Sequence, residues 1–140
     1  MHRRSVENET EVLMAKIRHI AIWTDNPDEL SKFYVDTFGM TIQQPLMSSP
    51  ESGSWVFLTD GYIHLALIAP ANRRGKANGI NHFGFTVDSE ERQAILQKLK
   101  ARGIEPRQCP PDNPYVEDRV HDIHGNPIDV SSTGLRPQTR

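Results

Sequence analysis

The chain has 140 residues, of which 36% are hydrophobic and 24% charged, with a formal net charge of -2. That length suits one domain with a real core, and the charge leaves no basic field for nucleic acid or an anionic membrane. Apolar runs are only strand-sized, so none spans a bilayer, and the single cysteine, Cys109, has no partner within the chain, in keeping with a reducing, cytoplasmic setting.

Residues 1–15 begin with basic side chains, but their apolar run VLMA is too short for a signal segment, and they are expected to form a flexible tail. IRHIAIWTD (Ile17–Asp25) then reads as a strand entering a turn. Asn26 or Asp25 can cap the following helix, Pro27 suits its first turn, and Leu30, Phe33, Tyr34 and Phe38 fall at helical spacing. Gly39 ends the helix and MTIQQPL (Met40–Leu46) is extended. WVFLTD (Trp55–Asp60) and YIHLALIA (Tyr62–Ala69) follow as strands around the turn Asp60–Gly61. A polar loop, ANRRGKANG (Ala71–Gly79), separates this half from the next. Its basic cluster of Arg73, Arg74 and Lys76 is read as a solvated loop, with an anion-binding role as the other option.

The second half repeats the order. INHFGFTVD (Ile80–Asp88) matches the first strand in its isoleucine, histidine and aspartate offsets. Ser89 is expected to cap a helix with Glu90 and Glu91 in its first turn and with Ala94, Ile95, Leu99 and Ala101 toward the core. Gly103 stops it, IEP (Ile104–Pro106) begins a strand, a less regular YVEDRVHDI (Tyr115–Ile123) is the middle strand, and PIDVSS (Pro127–Ser132) is the last. The chain therefore predicts two β-α-β-β-β modules, 16–70 and 78–133, and a short tail, 134–140.

Strand alternation sorts the polar residues. Ile20 and Ile22 share a face, and His19 and Ala21 share the other; Phe83, Phe85 and Val87 oppose His82 and Gly84. In the last strands, Ile63, Leu65 and Leu67 oppose His64 and Ala66, and Ile128 and Val130 oppose Asp129 and Ser131. Four strands thus carry a metal-ligand type of side chain followed two places on by Ala, Gly or Ser, a pattern that leaves a hollow. A lone strand histidine is ordinarily a hydrogen-bonded core residue, but four such positions at equivalent points of a duplicated module favour a cation site. His121 and His124, beside the final turn, read as solvated.

The paired modules, His19 on the first strand, His82 in INHFGFTVD and the closing HGNPIDV resemble the vicinal oxygen chelate superfamily, which includes glyoxalase I and methylmalonyl-CoA epimerase. The resemblance runs from about Lys16 to Ser132. It implies an α+β fold in which two β-α-β-β-β modules form a curled, incompletely closed mixed sheet around a central cleft. By position it implies His19, His64, His82 and Asp129 as metal ligands; the last is commonly glutamate, and the closing motif reads DIHGN where DPDGN is common. Three imidazoles and a carboxylate suit Fe, Ni, Co, Zn or Mn. The implied activity is that of a lyase or isomerase that chelates a small substrate through vicinal oxygens and shifts a proton through an enolate-type intermediate, with Asp129 or His64 as base. The alternatives are a non-haem Fe(II) ring-cleaving dioxygenase using His19, His82 and Asp129, and a non-catalytic drug-binding protein. Open sheet edges predict a homodimer, with a small-molecule substrate and neither nucleic acid nor membrane as partner.

Overall fold

A computed structural model describes residues 15–108 and 118–132. The expected tails fall almost wholly outside these residues, as do Tyr115, Val116 and Glu117 of the expected middle strand. The chain divides into two compact units, one comprising Arg18–Phe83 and the other Gly84–Gly134 with the residues before Arg18, so the division falls within a strand.

The Arg18–Phe83 unit carries all but the first two residues of β1 (Lys16–Trp23), α1 (Pro27–Phe38), β2 (Thr41–Ser49), β3 (Gly53–Thr59), β4 (His64–Ala69) and the first part of β5 (Gly79–Thr86). Its strand order is β2-β3-β4-β1-β5. β2 and β3 pair antiparallel, as do β3 and β4, whereas β4 and β1 are parallel, so the sheet is mixed. Val56, Leu58, Leu65 and Leu67 form the core, and Ile20, Ile22, Leu30, Tyr34 and Val35 pack on it. The helix covers the face that strand alternation assigns to the branched side chains. Asn26, one of the two residues expected to cap α1, does so by accepting from the Glu29 N–H at 3.0 Å. Gly39 closes the helix in the left-handed conformation at φ 72°.

Two features of this unit depart from the helical spacing. Phe33 and Phe38 are exposed and stack with Tyr34 at ring distances of 5.2 and 6.2 Å rather than entering the core. Phe33 lies at the edge of the stripe set by Leu30, Tyr34 and Val35, on the side away from Val35, and Phe38 is the last helical residue. β2 is also longer than expected, and its pairing is irregular around Gln44 and Met47, where Pro45 offers no N–H to the ladder.

The Gly84–Gly134 unit carries the end of β5, α2 (Ser89–Ala101), β6 (Arg107–Gln108), β7 (Asp118–His121) and β8 (Pro127–Ser131), in the strand order β5-β8-β7-β6. β8, β7 and β6 are antiparallel. Val87, Ile104, Val120 and Val130 form its core, with Phe85, Ile95, Leu99 and Ile128 against it.

Three expectations are corrected here. Asp88, not Ser89, caps α2, its carboxylate accepting from the Glu91 N–H at 2.7 Å. A carboxylate at that place also suits the positive end of the helix dipole. Ala94 and Ala101 are exposed, because only the i, i+4 pair Ile95 and Leu99 reaches the core. Ile104 is buried in that core without being in a strand, and pairing begins only at Arg107. Among the described residues no helix is long and apolar enough to cross a membrane.

Candidate metal centre

Three of the four expected ligands lie in the Arg18–Phe83 unit. β1 and β4 are parallel and in register, with His19 beside His64 and Ala21 beside Ala66. Residues paired in this way share a face, so the two His-x-Ala patterns stand side by side on the face away from α1. His82 enters from β5, and its ring meets that of His19 edge-on, with centroids 5.7 Å apart and planes at 88°. All three imidazoles are deeply buried, at 5%, 1% and 8% exposure for His19, His64 and His82. On that face Ala21 and Ala66 follow the histidines, and Phe57, paired with Ala66, stands beside them.

Local chemistry also orients His82. Its Nδ1 stands 2.7 Å from the Asn81 side-chain oxygen. An amide oxygen only accepts, so the ring proton sits on Nδ1 and the lone pair on Nε2, the nitrogen a metal would use.

The fourth residue, Asp129, lies in the other unit on β8 and is fully buried. It belongs to a hairpin in which β7 and β8 pair Asp118 with Val130, Arg119 with Asp129 and Val120 with Ile128. Arg119 Nε donates to Asp129 Oδ1. The adjacent residue points the opposite way: Asp118 accepts from Arg92 of α2, through both Nε and Nη2, at 2.7 Å. One face of this hairpin therefore binds the helix through Asp118, Val120 and Val130, and the other presents Asp129, Arg119 and the buried Ser131.

Arg119 was not among the expected site residues. The signal for it was present: a hairpin centred on His124 places Arg119 and Asp129 at equal distances from the turn.

The remaining polar clusters are local. His121 and His124 are exposed, and Asp122 organises their turn by accepting from the His124 and Asn126 N–H groups and from the Asn126 side chain. The Asn126 side-chain bond is the largest of the effects that hold the Asp122 carboxyl down at about 2. In the basic loop, Arg73 pairs with Asp25 at 3.2 Å and lies over the Trp23 ring at 5.9 Å, so it straps the loop to the end of β1.

Residues 16–130 match the family model of the Glyoxalase/Bleomycin resistance protein/Dioxygenase superfamily. Among solved structures, a hypothetical protein from Bacillus halodurans is 18% identical at a TM-score of 0.66, covering 86% of this chain and 96% of its own. A methylmalonyl-CoA epimerase from Streptomyces coelicolor, in complex with 2-nitronate-propionyl-CoA, is 20% identical at 0.65, covering 88% and 98%. The epimerase from Mycobacterium tuberculosis is 17% identical at 0.64, covering 85% and 87%. No curated protein matches the chain. At such identities the structures share a fold with this chain, and the family model reaches across nearly all of its strands. The chain belongs to the Glyoxalase/Bleomycin resistance protein/Dioxygenase superfamily.

Proposed function

We propose that the protein is a divalent-metal-dependent isomerase or lyase that moves a proton beside a carbonyl group of a small-molecule substrate. His19, His82 and Asp129 are its metal ligands, and His64 is its acid–base group. The observation that carries this reading is that His19 and His82 meet edge-on and buried on the strand face of their unit turned away from its helix, while Asp129 is fully buried on the hairpin face turned away from the helix of its own unit. Imidazole and carboxylate donors together suit a borderline cation such as Fe, Ni, Co, Zn or Mn. A carboxylate has about four lone-pair positions, so the bond from Arg119 does not exhaust the capacity of Asp129. A divalent ion there would supply Lewis acidity to a bound carbonyl oxygen.

The chain's own residues supply the rest. The Asn81 contact fixes the ring of His82. Arg119 fixes the carboxylate of Asp129, which makes Asp129 a better ligand than base. His64 stands beside His19 across the parallel β4–β1 pair and, as an imidazole, can accept or donate a proton. The fold shared with methylmalonyl-CoA epimerases supports an isomerase. A homodimer completes the proposal: β2 ends the strand order of its unit and exposes Ile42, Leu46 and Met47.

A second reading has one observation in its favour. Two histidines and one carboxylate are also the donor set of non-haem Fe(II) oxygenases. Metal analysis of the purified protein with a paired activity screen tests both. Nickel, cobalt or zinc with proton exchange or epimerisation of acyl thioesters supports the isomerase. Iron with oxygen uptake on catechols selects the dioxygenase. Absence of metal, with no gain on adding any, overturns both and leaves a small-molecule binder.

A further inference from the structure

We propose that Arg119 reads an anionic group of the substrate, so that the site takes small oxygen-chelating molecules carrying a free carboxylate. This rests on the reading of Asp129 as a metal ligand. The two arginine–aspartate pairs of the hairpin differ in a telling way. Arg92 spends both Nε and Nη2 on Asp118, so that pair is closed and faces the helix. Arg119 meets Asp129 through Nε alone, and among the described residues Asp129 is its one hydrogen-bond partner. A guanidinium has five N–H donors, and the bond to the aspartate uses only the one on Nε, leaving four on the terminal nitrogens. The side chain is 26% exposed while that of Asp129 is 0% exposed, so the arginine extends from a buried carboxylate toward solvent.

Register fixes the side on which this happens. Arg119 is directly opposite Asp129, so both project from the face that does not carry α2. Charge adds to the geometry. The Asp129 carboxylate with a divalent ion on it would sum to about +1, and Arg119 would raise that to about +2. A planar fork beside a cationic centre matches a carboxylate, which it can hold through two parallel bonds, better than a neutral carbonyl compound.

The test uses Co(II)-loaded full-length protein and two probes read by visible absorption: malonate, a dianion, and acetohydroxamic acid, uncharged in solution. In Arg119→Gln the malonate Kd is expected to rise at least tenfold, with the hydroxamate Kd unchanged within twofold. Arg119→Lys, which keeps the charge but not the fork, is expected to fall between, and it carries the test alone if the glutamine variant does not fold. Equal weakening of both probes would make Arg119 a structural residue and overturn the proposal, as would unchanged malonate binding. Failure of the wild type to take up Co(II) would overturn the metal reading separately. Malonate binding is then followed by tryptophan fluorescence of the metal-free protein, where a tenfold loss in Arg119→Gln supports the proposal and no loss overturns it.

Discussion

Asp118→Asn and Asp129→Asn form a matched pair of perturbations. Each removes one negative charge from a buried ion pair without changing side-chain volume. The aspartate side chains are 4% and 0% exposed, and their arginine partners 19% and 26%. Breaking a wholly buried pair costs about 3–5 kcal/mol. Here each arginine can rehydrate and the amide oxygen still accepts, so about 2 kcal/mol is expected for either variant. The variants separate when metal is added. At a Co(II) concentration of about 100 times Kd the wild type gains about 2.7 kcal/mol of stability. Asp118→Asn should gain the same amount. If exchanging the carboxylate for an amide weakens metal about 100-fold, Asp129→Asn gains only about 0.4 kcal/mol at that concentration. Urea unfolding with and without Co(II) measures all three. Equal metal stabilisation of Asp129→Asn and wild type would refute the reasoning, as would its loss in Asp118→Asn.

Three other outcomes follow from the same structure. His64→Gln should lower kcat at least about 100-fold, the usual range for a lost acid–base group, with metal content unchanged; loss of metal along with activity would make His64 a ligand. Gly53→Ala should cost about 2–3 kcal/mol in urea unfolding, because φ is +89° and a Cβ would stand 2.0 Å from the Ala69 carbonyl oxygen; a change within about 0.5 kcal/mol would show that the turn relaxes. The Asp122 carboxyl should titrate at about 2 by NMR instead of at 3.8. Because its folded value is depressed, its contribution to stability is fully present above 3.8 and is lost as pH falls toward about 2; an NMR midpoint near 4 would contradict this.

The histidines were legible because a strand has a period of two: once Ile20 and Ile22 are assigned to the helix side, His19 must lie on the other. Repetition of that pattern in a second module singled out the proposed ligands without any contact information. Arg119 was missed because YVEDRVHDI alternates poorly and its meaning depends on the residue opposite. Pairing distance from the turn, and not the strand's own pattern, reveals that neighbour. The helix errors have a similar origin. Asp88 and Ser89 are both good caps by residue type, and only the direction in which the chain enters α2 selects the aspartate. Ala94, Ala101, Phe33 and Phe38 sit at acceptable helical offsets, but the width of the buried stripe depends on the sheet beneath it.

X-ray absorption at the metal edge of Co(II)-loaded protein tests the central claim most directly. The account predicts two imidazole nitrogens near 2.0–2.1 Å with carboxylate oxygen in the same shell, typical bond lengths for such ligands, and one imidazole fewer in His82→Ala. A spectrum without imidazole scattering, or one unchanged by that substitution, would contradict it.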